Sequence, residues 1–100
     1  MKPKSYEEFQ SEDRRLVILR CLMAAAQYRA NVLLLQRYCA AVGHTVSRDR
    51  LEADVSWLAE QALVTRESGE ITVATLTLRG LDVAEGRADV PGVARPQPGF

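Results

Sequence analysis

Up to Gln61 the apolar residues of this chain recur at steps of three and four, and beyond it they fall into short β-branched runs. The first part of the fold is therefore helical and the next part extended. Each helical stretch also opens on a residue able to cap it. Ser5 with Glu8 three residues on has the form of a capping box, and Ser11 before Glu12 and Asp13 offers a second start, so the first helix begins between them. Leu16, Leu19, Leu22 or Met23, and Ala26 then form its core stripe, with Arg14, Arg15 and Arg20 elsewhere around it. Asn31 caps a second helix carrying Val32, Leu35, Tyr38 or Cys39, and Val42, and Gly43 suits the left-handed position that ends it. After a connector through His44, Thr45 and Val46, Ser47 caps a third helix whose inward residues are Leu51, Val55, Leu58 and Ala62.

Leu63 to Arg66 reads as a strand, Glu67 to Glu70 as a turn, and Ile71 to Thr77 as the returning strand, which together predict a β-hairpin. Thr77 caps one more short helix through Leu81, Val83 and Ala84, stopped by Gly86. The order helix, helix, helix, hairpin, helix defines an α+β domain over residues 1–89. Pro91, Pro96 and Pro98 with their neighbouring glycines predict an extended tail over 90–100. One hundred residues, 47% of them hydrophobic, are enough for one core and too few for two.

The same composition excludes several classes of function. No apolar run approaches the ~20 residues that cross a bilayer. The N-terminal segment leads into Tyr6-Glu7-Glu8 rather than a secretory apolar stretch, so the expected location is the cytoplasm. Cys21 and Cys39 lie within apolar helical patterns without CxxC spacing, which predicts buried thiols and no metal site. His44, the only histidine, has Ser47 and Asp49 nearby in sequence but in no triad order, and no glycine-rich phosphate loop is present. Neither a catalytic residue nor a cofactor is expected.

A capped second helix, a short turn, and a third helix ending in Trp57-Leu58-Ala59-Glu60-Gln61-Ala62-Leu63-Val64 precede a hairpin that runs into Leu76-Thr77-Leu78-Arg79-Gly80. Together these resemble winged helix-turn-helix regulators of the ArsR and MarR type. A closer likeness, in Val46-Ser47-Arg48-Asp49, in Ala74-Thr75-Leu76-Thr77 and in Val90-Pro91-Gly92-Val93-Ala94-Arg95-Pro96, is to the small winged-helix proteins of Mu-like phages and prophages. The resemblance implies a third helix in the major groove and a hairpin acting as the wing. The closely spaced cysteines of metal-sensing ArsR proteins are missing, since no cysteine follows Cys39.

For double-stranded DNA, short polar groups and arginines at the start of the third helix are the useful chemistry: Thr45, Ser47, Arg48 and Arg50, with Arg66 at the wing and Arg79 in the last helix. Against them stand Asp49, Glu52, Asp54 and Glu60 on the same helix, Glu67 and Glu70 at the wing, and a formal net charge of zero. Two readings follow. One is a DNA-binding transcriptional regulator acting as a homodimer, with Val17 and Cys21 of the first helix as interface candidates. The other is a winged-helix protein-interaction module without DNA binding, with Trp57 and Phe100 as partner contacts.

Overall fold

The computed structural model describes residues 2 to 98 and has the expected α+β class, with four α-helices and a three-stranded antiparallel sheet. Helix α1 spans Tyr6–Ala24, α2 Val32–Ala41, α3 Arg48–Glu60 and α4 Leu78–Ala84, while strands β1, β2 and β3 span Arg29–Asn31, Val64–Glu67 and Val73–Leu76.

The caps are those the sequence implies. Ser5 and Glu8 form the reciprocal capping box of α1. Asn31, Ser47 and Thr77 each accept the backbone N–H three residues on, from Leu34, Arg50 and Gly80. Each cap satisfies a donor that a helix start otherwise leaves to solvent, a contribution of about 1 kcal/mol. Gly43, at φ +101°, closes α2 as expected.

Helix α1 runs through the middle of the molecule. Its first residues, Tyr6 to Gln10, are exposed, whereas Arg14, Leu16 to Leu19, Cys21 and Leu22 are buried. A helix apolar on several sides is one enclosed by neighbours, and here α2, α4 and β3 all pack on it. Val17 and Cys21 therefore belong to the core and are unavailable as a dimer interface. Leu35, Leu51, Val55, Leu58 and Leu63 meet Ile18, Leu19 and Leu22 with no exposed surface.

Three features depart most from the sequence reading, and Ala26 and Val42, read there as core, are also exposed because α1 ends at Ala24 and α2 at Ala41. The chain leaves α1 through a short 3₁₀ turn, Ala26–Tyr28, in which Gln27 and Tyr28 hold positive φ, and enters β1, an additional strand. The sheet order is β1-β3-β2, with Arg29 opposite Thr75 on one side of β3 and Thr65 opposite the same residue on the other. Second, Ala62 faces solvent rather than the core, because α3 ends at Glu60 and the chain turns through Ala62 at φ +61°. Third, the Pro/Gly segment is no free extended tail. Val90 and Val93 are buried, and the Ala94 N–H donates to the Glu12 carbonyl at 3.1 Å.

Candidate nucleic-acid interface

The turn between α2 and α3 is held in place by side chains at both ends. Gln36 of α2 donates to the Val46 carbonyl at 2.9 Å, and His44 Nε2 lies 2.6 Å from Asp13 of α1. This fixes where α3 begins. Thr45, Ser47, Arg48 and Arg50 follow one another along that start and are all exposed. The Ser47 hydroxyl accepts the Arg50 N–H at 3.1 Å, so its oxygen is committed to the cap.

Strand β2 packs beside α3 and delivers Arg66 to the same region. Arg48 Nε and Arg66 Nη2 each lie 3.9 Å from Glu52, on opposite carboxylate oxygens. Arg66 also donates to the Ser68 hydroxyl at 2.9 Å. Two of the sequence-selected cations thus meet around one acid. Arg50 instead lines a shallow depression with Glu7, Gln10, Ser11, Arg14 and Val46, on the side of α1. Arg79 stands exposed in α4 and joins neither group; among the described residues no ion pair or hydrogen bond holds its side chain.

The acids that oppose DNA on paper are partly accounted for inside the molecule. Asp54 does not face solvent at all: it is buried and receives Arg14 Nε and Nη2, the latter at 3.2 Å. Glu67 pairs with Arg29 of β1 at 3.5 Å. Sequence reasoning passes over both Glu52 as a bridge and Arg29 as a wing-side cation. The four-residue spacing of Arg48 and Glu52 signals the first half of that bridge; Arg66 and Arg29 join only through strand packing.

Trp57 is half-buried, with the Arg15 guanidinium 4.1 Å from its ring centre. Arg15 also donates to the Gly92 carbonyl at 2.9 Å. Burial pulls the Arg15 guanidinium below its ordinary range, with Asp54 opposing the shift. Gly92 holds φ +100° so close to the indole that a Cβ there would stand 2.6 Å from it. The chain itself therefore covers part of the ring proposed for a partner. Phe100 lies outside the described residues.

Among the described residues no three histidine, cysteine or acidic side chains converge as a metal site, and no helix is long and apolar enough to cross a membrane. Burial pushes the Cys39 thiol up to about 12, with Cys21 and Asp54 adding to it, and burial raises Cys21 as well.

A capped helix, a pinned turn, a second helix and an antiparallel hairpin in this order make a winged-helix-like α+β domain. The solved hsRosR-S4 chain, from a complex structure, shares the fold at a TM-score of 0.61 and 19% identity, covering 85% of this chain and 84% of that one. The chain is 56% identical to the uncharacterized protein gp26 of Escherichia phage Mu over 89 residues, covering 88% of this chain and 92% of gp26, and it belongs to the gp26 family. An uncharacterized protein of Haemophilus influenzae is 39% identical over 79 residues, covering 77% of this chain and 76% of that protein. No family model matches the chain.

Proposed function

We propose that this protein is a winged helix-turn-helix regulator of phage or prophage transcription that binds double-stranded DNA as a homodimer. In this reading α3 enters the major groove and the β2–β3 hairpin is the wing. The observation that carries it is the meeting of Arg48, from the first turn of α3, with Arg66, from the wing strand, around Glu52. A helix start and a wing that present cations side by side match a phosphate backbone followed at two points. The fold shared with hsRosR-S4 and the kinship with phage Mu gp26 support the same reading. Arg50 and Thr45 extend the contact along the start of α3, and Arg79 from α4 is a peripheral contributor. Such a regulator needs no catalytic residue and no cofactor.

A dimer doubles the footprint of a domain that reaches few base pairs alone. With Val17 and Cys21 buried, the apolar side chains left for a second protomer include Phe9 of α1, Leu34 and Tyr38 of α2, and Val42 just after α2, all exposed. The test is a gel-mobility shift at low salt with fragmented phage DNA, run beside Arg48→Ala/Arg66→Ala. The expected result is a shift by the native protein that needs a clearly higher concentration of the double variant; silence of the native protein overturns the reading.

The protein-interaction module is the second reading, favoured by the 82% exposure of Leu78 and the 75% exposure of Tyr6. Side chains of this size left in water are a mark of partner surfaces when they gather. Leu78 lies with Tyr28, Leu76, Thr77 and Leu81 around a small apolar depression.

A further inference from the structure

Glu52 stands where a DNA-binding surface would least be served by a carboxylate. It separates Arg48 from Arg66, each 3.9 Å away, beyond hydrogen-bond reach but within ion-pair range. Its side chain is 31% exposed, and Oε1 is sealed from water without a hydrogen-bond partner among the described residues. The three side chains therefore present one net positive charge where the two arginines alone would present two. Since Oε1 is shielded from solvent, its charge acts on the neighbouring guanidinium groups with less screening than an ordinary surface acid has.

We propose that Glu52 is a charge gate on the DNA-facing surface, and that it suppresses sequence-independent binding by holding Arg48 and Arg66 until phosphates displace it. The inference rests on the DNA-binding reading above and adds a regulatory residue to it. A phosphate that approaches either arginine must compete with the carboxylate already there, and it is itself repelled by that carboxylate. Pairs this loose and partly exposed are weak, so the exchange is feasible. Its cost falls on every duplex, because phosphates are common to all sequences. Base-edge contacts made by a cognate site offset it, whereas a random duplex has nothing to offset it with. A carboxylate here thus lowers affinity for every duplex by a similar factor, which brings random-sequence binding down to where only a site with base-edge contacts is held, while the zero net charge of the whole chain keeps long-range attraction low.

The experiment is fluorescence anisotropy with a mixed-sequence duplex across a salt series, comparing the native protein with Glu52→Gln, each with and without Arg48→Ala/Arg66→Ala. Glu52→Gln is expected to bind about three- to tenfold more tightly at low salt. Its plot of log affinity against log salt should be steeper by about 0.9, the contribution of one further effective cation. Without the two arginines the same substitution should change affinity less than about twofold. Thermal melting of each variant verifies that the fold is retained. Equal affinity of the native and Glu52→Gln proteins overturns the gate and leaves the DNA reading standing. An equal gain with and without the arginines also overturns it, since the effect would then be one of overall charge. No binding by either protein at low salt overturns the DNA reading and the gate together.

Discussion

Arg14 and Asp54 are forty positions apart in sequence, and they tie α1 to α3 through a pair of hydrogen bonds inside the core. Both side chains are nearly inaccessible, at 6% and 4% exposure. Such a pair is costly to break from one side, because the remaining charge stays buried without its partner. Asp54→Ala should therefore lower the unfolding free energy by about 3–5 kcal/mol in urea titrations. Arg14→Met combined with Asp54→Leu should recover most of that loss, since neither charge then remains. Cys39 makes a second residue-level case. Its thiol is pushed up to about 12 by burial, while an unfolded cysteine ionises near its ordinary 9.0. The raised folded value means that this contribution to stability is fully present below pH 9 and declines as pH rises from there towards 12. Thiol labelling at pH 8 should accordingly be slow in the native protein and become rapid once denaturant unfolds it.

At the scale of elements, the segment after α4 offers the sharpest test. Val93→Ala removes buried side-chain volume beneath a turn that also touches Trp57, and it should destabilise the domain by about 1–3 kcal/mol in thermal or urea unfolding. A free tail would show no change. The reason this docking escapes the sequence is physical: Val90 and Val93 stand among prolines and glycines with no periodic stripe, and their burial depends on α1 and α3 being already in place. Strand β1 escapes for a related reason. Three residues, of which only Ala30 is buried, carry no alternation, and the strand exists because β3 offers it an edge. The helices are legible because their caps and stripes are local, and Ser5, Asn31, Ser47 and Thr77 all cap as read. Ala62 misleads because it continues the stripe of α3 by spacing, although the helix has already ended. The candidate interface divides the same way. The exposed start of α3 is visible from the Ser47 cap and the arginines beside it. The convergence of Arg66 with Arg48, and the withdrawal of Asp54 into the core, depend on packing between residues far apart in sequence.

On the scale of the whole molecule, thirteen basic and thirteen acidic residues cancel, yet the cancellation is uneven in space. Asp54 spends its charge on Arg14 in the core, and Glu67 spends its charge on Arg29 at the wing. Arg48 and Arg66 share a single carboxylate, while Arg50 remains exposed on the α1 side of the same helix start. A local cationic surface is therefore compatible with a neutral chain, and attraction to DNA would act at contact rather than at long range. Salt dependence reads that contact directly, because each phosphate neutralised by a side chain releases counterions from the duplex. The decisive measurement is the slope of log affinity against log salt for the native protein and for Arg48→Ala/Arg50→Ala. The native protein should bind with a negative slope, and the variant should be flatter by about two. Absent binding at low salt, or a slope that the two substitutions leave unchanged, would contradict a DNA-binding surface at the start of α3.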